Sequence, residues 1–339
     1  MKQKLAYIDH SFHKKTKSTY FLRDILRDHF DIVDIWDESW NGGEKISATQ
    51  INSQNFDYVL FFQSFLPLCE LKKIKAKIIW VPMYDGVVQL GNSFWMELST
   101  ISIKILSFSK KISEITANHK LDTLSVQYFI NPEDLPMVVD YAKKKVFFWQ
   151  RTNFSFSDVK KIIGNQEINQ FILKLDPDPG YKASFPIKED IEKYNIKIIQ
   201  ETLSKEEYTS LLKESNLFIS PRKYEGIGMS FIEAMTMGLS VVAIDKPTMN
   251  EYIRNDKNGY LVDPNKLREI DFSTFKKNGI NAREGCLIGY EKWKNSHGEI
   301  INFMHSQFAN PTKINQTVLL FVKLRDLIVK VKLKLEDYF

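Results

Sequence analysis

Cysteine is nearly absent: Cys69 and Cys286 are the only two in 339 residues. Far apart in sequence, they offer neither a disulfide framework nor a clustered zinc site, and they suit a reducing compartment. Long hydrophobic runs are missing too. The purely apolar stretch near the C-terminus, residues 318–322, falls far short of the roughly 20 residues a membrane-spanning helix needs. Residues 1–10 have no apolar core of signal-peptide length, so a cytoplasmic location is expected. Neither sign of charge dominates, since 47 Lys and Arg face 42 Asp and Glu for a net of +5. That balance permits an anionic partner such as a nucleotide or a membrane surface, and gives no footprint for nucleic acid. Low-complexity tracts and solenoid repeats are absent. No side-chain cluster has metal-ligand spacing. Asp176-Pro177-Asp178 spells D-x-D, but with Pro179-Gly180 it reads as a β-turn, so no metal is expected.

What is present is an alternation of short apolar runs with helical stretches. Residues 4–8, 31–36, 58–62, 77–82 and 101–108 read as strands, and residues 18–29 as a helix. Extended structure at 127–130 should end at Asn131-Pro132. After a basic patch at 141–145 the alternation restarts: strands at 146–149, 170–175, 197–200 and 217–220, with helices at 157–163 and 205–214. Strands alternating with helices imply βαβ units and a parallel sheet in each half, with a boundary near residue 143.

The most informative stretch is 216–263. A strand feeds the loop from Pro221 to Gly228, a short helix ends at Gly238, and a strand follows at 240–244. Strand, glycine-containing loop and helix start together make an anion site, because glycine lets backbone approach a ligand and the first helical N–H groups attract phosphate. A dinucleotide fingerprint is disfavoured, because Phe231 stands where the third glycine belongs. Two carboxylates, Glu225 and Glu233, bracket the loop. Each has a plain reading as well: Glu225 as an ordinary loop carboxylate, and Glu233 as the partner of Ser230 in a capping box.

Taken whole, Ser220, Pro221, Glu225, Gly226, Ile227, Gly228, Met229, Glu233, Ala234, Met235, Gly238 and Ser240-Val241-Val242-Ala243 resemble the donor-site signature of GT-B glycosyltransferases of the family 4 type. Glu251-Tyr252-Ile253 and Asn258-Gly259-Tyr260-Leu261-Val262 continue it, and Leu203 to Phe218 resemble the lead-in, over about sixty residues in all. The resemblance implies an α/β fold of GT-B type, two Rossmann-like βαβ domains facing a central cleft. Residues 1–143 would be the acceptor-side domain, 144–310 the nucleotide-sugar-binding domain and 311–339 a basic amphipathic segment. It implies that Glu233 accepts hydrogen bonds from the nucleotide ribose and that Glu225 faces the transferred sugar. The backbone of Gly226, Ile227, Gly228 and Met229 would line sugar and diphosphate. The family usually supplies an Arg and a Lys for the diphosphate. Arg151 matches the arginine, while residues 152–158 contain no lysine, leaving Arg222, Lys223 or Lys182 as substitutes. The Pro247-Thr248-Met249-Asn250 stretch also departs from the family, which often has paired glycines there.

In the first half, the loop Asp9 to Thr19 is basic and hydroxyl-rich, suited either to a pyrophosphate or to plain solvation. His13 and Asp85 are candidates to orient an acceptor hydroxyl. The reading is then a retaining, metal-independent glycosyltransferase acting on a hexosyl or related donor. It would move sugar from a nucleoside diphosphate to a hydroxyl of a glycan or lipid-linked oligosaccharide in surface polysaccharide biosynthesis, with no cofactor. The alternative is a non-catalytic nucleotide-sugar-binding or scaffold protein on the same fold.

Residues 313–335 carry six basic residues against Asp326, a charge of +5 that equals that of the whole chain. Leu320, Leu324, Leu327, Ile328 and Val331 recur at helical spacing, while 330–335 alternate with period two and admit an extended reading. Such a segment suits an anionic membrane surface, which would place the protein peripherally on the inner face of the plasma membrane, or packing on the N-terminal domain.

Overall fold

The structure, a computed structural model, describes residues 2–138, 140–178, 180–220 and 222–336, with side chains through 329. Pro179 of the predicted turn and Pro221 of the donor-site signature lie outside it, as do the side chains of Lys330, Lys332 and Lys334.

Among the described residues, twelve strands form two parallel six-stranded sheets. The first contains β1 (Gln3–His10), β2 (Phe30–Asp37), β3 (Tyr58–Phe62), β4 (Lys77–Val81), β5 (Ile103–Ser107) and β6 (Asp122–Ser125), in the order β2-β1-β3-β4-β5-β6. The second contains β7 (Lys145–Gln150), β8 (Gln170–Leu175), β9 (Ile196–Ile199), β10 (Leu217–Ile219), β11 (Ser240–Ile244) and β12 (Gly259–Val262), in the order β12-β11-β10-β7-β8-β9. Both are doubly wound arrangements, as expected. The order reverses between β1 and β3 in the first sheet and between β7 and β10 in the second, which makes the carboxyl ends of those strands the places where α/β sheets bind ligands. Central strands such as Val59-Leu60-Phe61 and Phe147-Phe148 are fully buried, because helices cover both faces of a parallel sheet.

Two compact units result. One comprises residues up to 126 together with those from 295 onward, and the other comprises 127–294. The boundaries expected at 143 and 310 therefore fall at 126 and 294. Residues 127–130 form no strand and belong to the second unit: Gln127 Nε2 donates to Glu251 O (3.1 Å) and Tyr252 Oη to Tyr128 O (3.1 Å). Tyr128 also packs edge-on against Trp293, ring centres 5.4 Å apart. At the far end, the 31-residue helix Phe275–His305 runs from one unit into the other. Its last turn is tied to the first sheet by Lys104, fully buried on β5, which donates to Phe303 O (2.5 Å) and to Ser306 Oγ.

The tail is helical throughout Gln316–Glu336, so the extended reading of 330–335 does not hold. It packs on the helix Asn92–Leu98 through one stripe. Leu319 is buried, Lys323 pairs with Glu97 (3.0 Å), and the Asp326 carboxylate accepts from Ser93 N (2.7 Å). The predicted loop after β1 is likewise ordered into a short helix, Phe12–Thr16, ahead of Tyr20–Leu26.

Candidate functional site

The second sheet's switch point organises the candidate site. Arg151 follows β7 and Arg222 follows β10, the two adjacent strands on either side of the reversal. Both guanidinium groups converge on one carboxylate. Arg151 donates from Nε and Nη2 to Asp178 Oδ1 (3.0 and 2.9 Å), and Arg222 Nη2 donates to Asp178 Oδ2. Asp178 sits just beyond β8 and was read from sequence only as a turn residue. Beneath it, Trp149 carries Arg151 and Lys174 against its indole ring (4.9 and 4.2 Å to the ring centre) and donates its N–H to Asp176 O (2.7 Å). Lys182 and Lys223 are exposed, the latter lying over Tyr224. Of the cations offered in place of the missing lysine, Arg222 is the one that shares a partner with Arg151.

The loop after β10 leads to the helix Met229–Met237. Gly228 is its N-cap at φ +80°, and a Cβ there would collide with the Phe231 ring. Phe231 is fully buried and packs on Tyr252 (5.5 Å), which explains why no third glycine stands at that position. The Pro247-Thr248 stretch braces the loop from behind: Glu225 N donates to Pro247 O (3.4 Å), and Thr248 Oγ1 donates to Ile227 O (3.2 Å). Glu225 itself is 6% exposed. Gly226 and Ile227 are buried, and Met229 opens the helix half-exposed.

Glu233 lies in the second turn of that helix. The capping-box reading fails, because Gly228 rather than Ser230 precedes the helix and no side chain caps it. Glu233 is half-buried and makes no hydrogen bond or ion pair with another described residue. Burial pushes its pKa up to about 7, with Lys205 pulling the other way. Sequence reasoning missed Tyr208. It packs against Phe147 and Trp149 (5.6 and 5.9 Å). Its hydroxyl is buried and has no hydrogen-bond partner among the described residues. Burial first, then the Glu233 charge, raises its pKa, and Arg151 opposes this. The available signal was Tyr208, Leu211 and Leu212 on one helical face, a spacing that reads equally well as core.

In the first unit, His13 and Asp85 both lie beyond the carboxyl edge of the sheet, after β1 and β4. His13 Nδ1 is 2.7 Å from Oδ1 of Asp9, a fully buried carboxylate that also accepts from Thr19 Oγ1 (2.6 Å) and His10 N (2.8 Å). Asp9 thereby fixes the imidazole's orientation. Asp85, in the first turn of the helix Tyr84–Val87, accepts from Gly86 N (2.9 Å). These two belong to one unit, and Glu225, Glu233, Arg151 and Arg222 to the other.

Residues 180–271 match the family model described as glycosyl transferases group 1. A curated relative, the poly(ribitol-phosphate) alpha-N-acetylglucosaminyltransferase of Staphylococcus aureus, is 32% identical over 100 residues, covering 25% of this chain and 20% of that protein. The chain thus aligns with about a fifth of that relative's length. Among solved structures, sucrose-phosphate synthase from Thermosynechococcus elongatus superposes with a TM-score of 0.63 at 13% identity, covering 89% of this chain and 98% of that one. HepE of Anabaena, solved with UDP and glucose, gives a TM-score of 0.62 at 12% identity, covering 90% and 100%. The donor-site signature read from the sequence falls largely within the matched segment, so residues 180–271 are similar to glycosyl transferases group 1, and the two parallel sheets give the chain the GT-B fold of these solved structures.

Proposed function

We propose that the protein is a retaining glycosyltransferase that moves a sugar from a nucleoside diphosphate to a hydroxyl of a glycan or lipid-linked acceptor in surface polysaccharide synthesis. The observation that carries this reading is the convergence of Arg151 and Arg222 at the switch point, beside the loop and helix that bear Glu225 and Glu233. Two fixed guanidinium groups suit the charge that develops on a departing diphosphate. A carboxylate without a partner among the described residues, as at Glu233, suits a ribose diol, because it accepts two hydrogen bonds at once. In the reaction the bond from the anomeric carbon to the β-phosphate oxygen breaks, the acceptor oxygen bonds to that carbon, and the acceptor's proton passes to the leaving phosphate. Glu225 sits beside the sugar and stabilises the positive charge at the anomeric carbon. His13, oriented by Asp9, and Asp85 are assigned to the acceptor hydroxyl. No cofactor is required.

Turnover of UDP-glucose and other nucleotide sugars with a panel of glycan acceptors tests this reading. Glu225→Ala should lower kcat by 10²-fold or more, the scale of one lost electrostatic contact in the transition state. UDP affinity should change little, because Glu225 lies in the loop and not on the helix that carries Glu233. Wild-type turnover in a folded variant would remove Glu225 from the chemistry.

The two arginines and the start of the helix Met229–Met237 are the groups assigned to the leaving charge, so activity should persist in excess EDTA. Activity that stops with chelator and returns with magnesium or manganese would assign that charge to a metal instead.

A further inference from the structure

The donor reading places the diphosphate on Arg151 and Arg222, yet in the structure both guanidinium groups are already held by Asp178. Arg151 presents its Nε and Nη2 edge, the fork that binds a phosphate with two parallel bonds, and both of those donors go to Asp178 Oδ1. All three side chains are 22–25% exposed, so the cluster is reachable from solvent. A carboxylate that stayed on those forks would face the incoming phosphates at contact distance, and like charges that close repel.

The segment that carries Asp178 is anchored on both sides of it. Upstream, Asp176 O accepts from the Trp149 indole (2.7 Å) and its carboxylate pairs with Lys174 (2.5 Å). Downstream, the buried Gln150 side chain donates to Lys182 O (3.2 Å) and accepts from Ser184 N (3.1 Å). Between these anchors, Asp178 is tied to β7 by one backbone bond to Arg151 O (2.9 Å) and by its carboxylate. The pinned ends keep the segment beside the arginines while leaving the carboxylate itself exchangeable.

We propose that Asp178 is an internal counter-anion of the donor site: it holds Arg151 and Arg222 aligned and is displaced when a diphosphate binds. Donor affinity is then the intrinsic affinity of the two arginines reduced by the fraction of molecules in which Asp178 occupies them. The same exchange, run backwards, helps expel the nucleoside diphosphate product. This inference rests on the donor-site reading above.

The test is calorimetric titration of the full chain with inorganic pyrophosphate and with UDP, comparing wild type with Asp178→Asn. The expected result is binding about tenfold tighter in the variant, together with a lower KM for the nucleotide sugar and no rise in kcat. A purely structural role predicts the opposite, weaker binding and a raised KM, and that result or unchanged affinity overturns the proposal. A second readout needs only proteins that keep Asp178. The emission of Trp149, taken as the difference between wild type and Trp149→Phe, should change when pyrophosphate binds, because Arg151, which lies against its indole, exchanges the Asp178 carboxylate for a phosphate. Binding with no such change also overturns it. If neither pyrophosphate nor UDP binds wild type or variant, the donor-site reading falls and this inference with it. Binding by wild type without tightening in the variant overturns this inference alone.

Discussion

Replacing Glu233 with Gln should abolish the pH dependence of nucleotide-sugar binding while stabilising the protein without ligand above neutral pH. Burial holds the Glu233 carboxyl at about 7, well above its ordinary value of 4.5. Between those two values the folded state binds more protons than the unfolded chain, so this group's contribution makes stability fall as pH rises. The cost is absent below about pH 4.5 and complete above about pH 7. Glu233→Gln removes it, and should raise stability at pH 8 by roughly 2 kcal/mol after allowing for the group's partial exposure. At pH 4.5 wild type and variant should melt together. Binding runs the other way, because the ribose diol needs the ionised acceptor. Wild-type affinity for UDP-glucose should drop about tenfold for each pH unit below 7. The variant should show a flat, weaker profile. Each hydrogen bond lost to a charged partner is worth about 1.5–3 kcal/mol, so Glu233→Ala at pH 8 should bind roughly 10- to 150-fold more weakly. UDP-glucose serves better than UDP here, since its two phosphates are both esterified and do not titrate in this range. A flat wild-type profile, or a Glu233→Gln profile that follows it, would remove Glu233 from the nucleotide site.

Anionic vesicles should capture the protein, and neutralising three lysines should release it. The tail helix Gln316–Glu336 uses one stripe, Leu319, Lys323 and Asp326, to pack on the helix Asn92–Leu98. Its other side leaves Leu320, Phe321, Leu324, Leu327 and Ile328 between 51% and 68% exposed. Among the described residues, no helix is long and apolar enough to cross a membrane. An exposed apolar stripe on a basic helix suits the boundary of an anionic bilayer, and a lipid-linked acceptor would be found there. Packing and docking need not compete, because they use different faces. Lys323 is spent on Glu97, so the charge offered to lipid is that of Arg325 and of Lys330, Lys332 and Lys334 in the sequence. At about 1 kcal/mol for each lysine near the surface, the triple Gln variant should lose roughly 100-fold in affinity for phosphatidylserine vesicles. High salt should weaken the wild type in the same sense, and neutral vesicles should capture little of either protein. Substituting Leu324 and Ile328 with Ser should also release it, while leaving the Lys323 and Asp326 contacts intact. If the triple variant co-sediments like wild type, or if neither protein binds, the tail is a packing element alone.

Much of the architecture is legible in the residues themselves. The strands at 58–62, 170–175 and 240–244 have the bounds expected of them, because a strand buried on both faces reads as an unbroken apolar run between turn signals. β6, Asp122–Ser125, carries no such run: it is a polar edge strand, and only its pairing with β5 reveals it. The loop read as a donor site was legible for a related reason, since its glycines and carboxylates lie close together in the chain and each has a local chemical meaning. Gly228 is a case where a positive φ and a close neighbour both demand glycine.

What local sequence leaves open are the partnerships made across the chain. Arg151 meets Asp178 across 27 positions and Arg222 meets it across 44, which brings three loops to one edge of a sheet. Tyr208 comes within electrostatic reach of Glu233 only because the helix Lys205–Lys213 packs beside the helix Met229–Met237. Residues 127–143 and 295–310 changed units for the same reason. Composition and periodicity determined that the chain forms two parallel sheets and where the glycine-containing loop after β10 lies. The order in which the strands pair decided which charges meet, because an ion pair depends on distance in space and leaves no period in the sequence.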